Sequence, residues 1–131
     1  MNNNQLHFLL LHGAWHGSWV WKEVSECLME KGFKVSCPTL TGLGERKHLM
    51  SKNITIDTYI TDVENHILYN DIKNIILVGH SFSGSVVSGL AEKHKDRIKQ
   101  LIYFDSMVVE GGQTPFEITN DEITKERIKL A

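Results

Sequence analysis

The residues best placed to do chemistry are Gly79-His80-Ser81-Phe82-Ser83-Gly84, which follow an apolar run, Ile75-Ile76-Leu77-Val78, and precede a helix pattern of small residues, Ser85 to Ala91. A strand, a sharp turn and a helix in that order lift one side chain clear of the backbone. A serine at the apex takes up a strained conformation that holds its hydroxyl out, and the turn closes only when the residues two before and two after are small. Gly79 and Ser83 meet that condition, although the usual pattern has glycine at the later position and Gly84 comes one residue after it. Ser81 therefore reads as a nucleophile. The plainer alternative is a glycine-serine turn behind a buried strand.

A second segment belongs with the first. Leu6 to Leu11 reads as a buried strand ending in His12-Gly13-Ala14-Trp15-His16-Gly17-Ser18-Trp19, a loop whose glycines let backbone approach a bound group. When a serine attacks an acyl carbon, negative charge develops on the former carbonyl oxygen, and two backbone N–H groups aimed at it supply much of the stabilisation. One donor is the residue after the nucleophile, Phe82; the other comes from a loop after an earlier strand, where Ala14 is the matching position. Gly13, Trp15 and His16 then fall at the substrate pocket.

These residues must be carried by a framework, and the elements alternate strand with helix, the order of a parallel sheet flanked by helices. After the first strand, Val20, Val24, Cys27 and Leu28 recur at helical spacing, with Gly32 as the stop. Phe33 to Leu40 is the second strand, followed by a glycine-containing loop from Thr41 to about Asn53. Ile56, Tyr59, Ile60, Val63 and Ile67 form a helical stripe with Thr55 as N-cap. Lys73 to Gly79 is the third strand, Ser83 to about Lys95 the helix behind the nucleophile, and Ile98 to Phe104 the fourth strand.

In order and type, the segments His12 to Trp19, Thr39-Leu40-Thr41-Gly42-Leu43-Gly44-Glu45-Arg46, Gly79-His80-Ser81-Phe82 and Leu101-Ile102-Tyr103-Phe104-Asp105 resemble the N-terminal half of an α/β-hydrolase. The resemblance is to the branch of small esterases related to plant methylesterases, pyrethroid-hydrolase-like bacterial esterases and hydroxynitrile lyases. It implies a truncated α/β-hydrolase fold, with residues 1–115 as part of the core and 116–131 as the start of a lid segment. It also implies a carboxylic ester hydrolase acting on a small-molecule ester without a cofactor. In this branch the triad runs serine, acid, histidine in chain order, the last two on loops after strands later than those carried here. None of the seven histidines occupies the position of the base. The expectation for the chain as given is near-inactivity.

Two other functions stay open. A hydroxynitrile lyase would use the same serine and histidine for proton transfer on a cyanohydrin; the plant lyases of this group carry a threonine where Gly13 stands and a glutamate where His80 stands, so both positions resemble the esterases. A non-catalytic remnant would keep the turn and lose the base. The family's strand order also implies the second strand at one edge of the sheet and Ile98 to Phe104 at the other, an apolar edge open to self-association.

The remaining candidates read as structural. Asp105 is a loop-ordering acceptor at a strand end, His80 points away from substrate and serves packing or a supporting hydrogen bond, and Trp19 and Trp21 fill core around the first helix. Glu45-Arg46 is a solvated loop ion pair. Gly42-Leu43-Gly44 lacks the third glycine and the helix start of a dinucleotide fingerprint. Cys27 and Cys37 have no metal or redox spacing and read as reduced thiols, so no metal is expected. Fourteen basic and sixteen acidic residues leave a net charge of −2, which makes no electrostatic case for nucleic acid or an anionic membrane. With 41% hydrophobic residues and no long apolar run, the 131-residue chain reads as a cytoplasmic globular protein.

Overall fold

The computed structural model describes residues 5–106. The sheet comprises β1 (His7–Leu11), β2 (Lys34–Ser36), β3 (Ile75–His80) and β4 (Ile98–Phe104), and the helices are α1 (Lys22–Glu30), α2 (Ile56–Tyr69) and α3 (Ser83–Lys93). All strand pairs are parallel, in the spatial order β2-β1-β3-β4. The order and the two edges agree with the sequence reading. The proposed lid segment, 116–131, lies outside the described residues.

Strand alternation sorts the core onto two faces. Leu9, Leu11, Ile75 and Leu77 pack with Ile60, Val63 and Ile67 of α2 and Val86, Val87 and Leu90 of α3. On the opposite face Leu10, Ile76 and Val78 pack with Trp21 and the half-buried Phe8, Leu28, Val35, Cys37 and Ile102. The central strands are covered on both sides, which is why they read as unbroken apolar runs.

Two elements differ from expectation. β2 stops at Ser36, four residues short of Leu40. Residues beyond it turn toward the site, where Thr39 and Leu40 are buried as loop. The chain also enters α1 through a 3-10 turn, Ser18–Trp21, which shifts the helical phase. Trp21 becomes the buried residue, while Val24 and Cys27, expected to face inward, are exposed. Trp19 is exposed as well, so of the two tryptophans assigned to the core only Trp21 fills it. Gly32 closes α1 at φ +91° as expected. Thr55 caps α2, its N–H donating to the Thr58 hydroxyl at 3.0 Å.

Candidate active site

β1 and β3 are neighbours in a register that pairs Leu11 with Gly79. The segments leaving their C-terminal ends, His12-Gly13 and His80-Ser81, must therefore run side by side. A Cβ placed on Gly13 would lie 3.2 Å from Ser81 Cβ and 2.9 Å from His80 Nδ1. Sequence-distant residues thus meet at one end of the central strands.

Ser81 has φ +58°, the left-handed region a non-glycine residue enters only at a cost. The turn is closed around it: the Ser81 carbonyl accepts from Gly84 N–H at 3.2 Å and from the Ser106 hydroxyl at 2.6 Å. Gly79 makes the close approach of α3 possible, since a Cβ there would stand 2.6 Å from Val87 Cγ2 and 2.9 Å from the Ser83 carbonyl oxygen. Among the described residues nothing hydrogen-bonds the Ser81 hydroxyl.

The loop after β1 is held differently, by His12. Its ring is fully buried, and Leu40 N–H donates to Nε2 at 3.0 Å. Nε2 is therefore unprotonated, and the single proton of the neutral ring sits on Nδ1, which donates to the Gly13 carbonyl at 2.9 Å. Burial holds the ring below the ordinary histidine range, opposed by that bond to Gly13. The Gly13 carbonyl also accepts from His16 N–H at 3.3 Å. C=O and N–H point in opposite directions across a trans peptide, so fixing the Gly13 carbonyl fixes the Ala14 N–H on the other side. Neither Ala14 N–H nor Phe82 N–H makes a backbone hydrogen bond among the described residues.

A second support comes from the loop after β2. The Thr39 hydroxyl accepts from Ser18 N–H at 2.9 Å and donates to Glu45 Oε2 at 2.8 Å. Arg46 Nη1 donates to the Thr39 carbonyl at 2.9 Å. Glu45 and Arg46 thus grip the same residue instead of each other, which corrects the expected ion pair: a buried threonine offers both side chains a shorter reach. The Glu45 carboxyl is held below the ordinary range, first by its own N–H and then by Thr39. Gly44, at φ +50°, lets this loop close on the first one, where a Cβ would sit 2.9 Å from Gly17 Cα.

Of the expected pocket residues, Gly13 lies against Ser81, His16 is half-buried with its ring 6.2 Å from that of His80, and Trp15 is 63% exposed at φ +60°. His80 packs among Trp21, Phe104 and His16, in keeping with a packing role. Asp105 is exposed, at φ +44°, and its carboxylate orders no loop among the described residues; the ordering bond comes from Ser106 instead. His12, Thr39 and Ser83 were missed as supports. The available signal for His12 was a polar side chain directly after five strand residues, since a buried polar group must find partners.

The family model of the α/β hydrolase fold matches residues 7–123. The chain belongs to that family. It is 41% identical over 108 residues to a carbendazim-hydrolyzing esterase of Nocardioides, covering 82% of this chain and 45% of that protein. To the pFDCC methylesterase of Arabidopsis thaliana it is 33% identical over 130 residues, 94% of this chain and 48% of the relative. An extracellular α/β-hydrolase from a Paenibacillus species superposes with a TM-score of 0.85 at 30% identity, covering 96% of this chain and 50% of that one. These relatives are esterases or hydrolases by name, and the chain spans about half the length of each.

Proposed function

We propose that this chain carries the nucleophile and the oxyanion donors of a serine carboxylic-ester hydrolase. The supporting observation is the pairing of Ser81, strained at φ +58°, with Gly13 packed against its Cβ while the Ala14 and Phe82 N–H groups have no backbone partner among the described residues. In this reading Ser81 Oγ bonds to the ester carbonyl carbon as its proton passes to a base histidine that is not among the seven of this sequence. The two N–H groups hold the resulting oxyanion, the alkoxide leaves with that proton, and water cleaves the acyl-enzyme. The names of the relatives point to methyl esters and carbendazim as first substrates to try.

Gly13 also argues against the lyase reading. A side chain at that position would begin 2.9 Å from His80 Nδ1, so the threonine of the lyases does not fit beside this histidine. In the native protein Ser81→Ala should remove ester hydrolysis down to about 10³ to 10⁴ over water, the level left by binding and an oxyanion hole. Turnover unaffected by Ser81→Ala would end the proposal. The purified 131-residue chain, having no base on the Ser81 hydroxyl, should hydrolyse esters hardly at all; turnover at ordinary enzyme rates that vanishes in Ser81→Ala would show a recruited histidine.

The expected self-association is proposed for the chain by itself. Among the described residues β4 pairs only with β3 and Phe104 is 56% exposed, which offers an edge to a second copy. Sedimentation should show mass rising with concentration, and a monomer throughout would end this reading. Cytoplasmic location stays a proposal, tested by fractionation; no helix among the described residues is long and apolar enough to cross a membrane.

A further inference from the structure

Ser83 departs from the glycine usual at its position, and the structure gives its hydroxyl a specific task. The residue is completely buried at the first position of α3. A serine in a helix commonly bonds within its own turn. Ser83 Oγ instead donates to the His12 carbonyl, 71 residues away in sequence, at 2.5 Å. That carbonyl belongs to the His12–Gly13 peptide, immediately before the Gly13–Ala14 peptide that carries one of the proposed donors. Ser83 itself directly follows Phe82, which carries the other.

We propose that Ser83 is a positioning residue that locks the loop carrying Ala14 N–H to the turn carrying Phe82 N–H, and so sets the spacing of the two oxyanion donors. The inference rests on the reading of those donors given above. The His12 ring fixes the Gly13 carbonyl and Ser83 fixes the His12 carbonyl, so two consecutive peptides are clamped. The first clamp ties the loop to Leu40 through the other ring nitrogen. Among the described residues only the Ser83 hydrogen bond ties it to the helix that follows Ser81. A glycine at this position would leave the two donors on separately anchored segments.

The test has one arm that needs no activity. Backbone ¹⁵N relaxation on the 131-residue chain should give Gly13 and Ala14 the order of β1 in the wild type. In Ser83→Ala and Ser83→Gly their order parameters should fall to about 0.6 or below, the flexible range, while Phe8 to Leu11 stay rigid. Val86→Ala, which empties core on the same helix, is the control for simple destabilisation and should leave Gly13 and Ala14 ordered. Unchanged order in both Ser83 variants, or equal loosening in Val86→Ala, overturns the proposal.

The second arm uses the native protein, where both Ser83 variants should lower kcat about tenfold with KM nearly unchanged, a fraction of the loss from deleting a donor outright. If Ser81→Ala abolishes turnover while both Ser83 variants keep full kcat, the positioning role is wrong and the esterase reading survives. If Ser81→Ala leaves turnover intact, the esterase reading itself fails.

Discussion

The turn around Ser81 and the loop around Ala14 lie side by side, yet they are held by opposite means. The turn is shaped by local sterics within residues 79–87: a left-handed serine, a glycine two residues before it and a helix pressed against that glycine. Its distant polar ties are to the end of β4, where the Phe104 carbonyl accepts from Ser81 N–H and Ser106 donates to the Ser81 carbonyl. The loop is built by long-range polar contacts from Thr39, Leu40 and Ser83, which arrive from two other segments, the loop after β2 and the start of α3. A locally strained turn needs a rigid frame to bear its cost. A hydrogen-bonded loop needs every partner present, because a buried polar group left alone is expensive. The Ser81 turn thus depends chiefly on packing and the Ala14 loop on a polar network.

The sharpest test of that contrast is Gly79→Val. Its Cβ alone would stand 2.6 Å from Val87 Cγ2 and 2.9 Å from the Ser83 backbone oxygen, so α3 must move, and denaturant unfolding should show a loss of about 3 kcal/mol. A loss below about 1 kcal/mol would mean that the close approach of the helix is not what shapes the turn.

The counterpart in the loop is His12→Ala, which deprives the buried Leu40 N–H of its acceptor and the Gly13 carbonyl of one donor. Unfolding should cost about 2 kcal/mol, with the β1 amides still protected in hydrogen exchange and those of residues 13–18 exposed. If β1 loses protection to the same degree, the loop and the sheet are one unit and the contrast fails.

Ser81→Gly should act in the other direction. Relieving a positive φ is worth about 1 kcal/mol, less glycine's extra chain entropy, so a small gain in stability should accompany loss of any Ser81 chemistry. A decrease in Tm would show that the serine is not strained in the folded chain.

The smallest effect is in pH. His7, His12 and His66 are all held below the ordinary value of 6.5, chiefly by burial. Below about pH 6.5 the unfolded chain takes up protons that the folded chain refuses, so stability is full above that pH and declines as the pH falls through the folded values. Tm should therefore drop between about pH 7.5 and pH 5.5, less steeply in His12→Asn, where His7 and His66 remain. An identical slope in that variant would show that His12 titrates as in the unfolded chain and is not buried neutral.

The two regions were unequally legible before the structure was known. The turn could be read because its determinants are neighbours: an apolar strand, Gly79, Ser81 and a small-residue helix appear in one stretch, and steric closure of a turn is a local matter. The central strands β1 and β3 were legible for a related reason, since burial on two faces demands unbroken apolar runs.

The loop's supports could not be read, because a side chain's hydrogen-bonding partner is set by where distant backbone arrives. Nothing near Ser83 in sequence indicates His12, and nothing in Glu45-Arg46 indicates that both will seize Thr39. The early end of β2 and the outward placement of Trp19, Val24 and Cys27 are decisions of the same kind, made by packing against partners remote in the chain. Sequence alone singled out Ser81, Ala14 and Phe82 as candidates and located the strands that lead to them. Tertiary structure decided how the Ala14 loop is held, because that depends on groups brought together only when the sheet and its helices close.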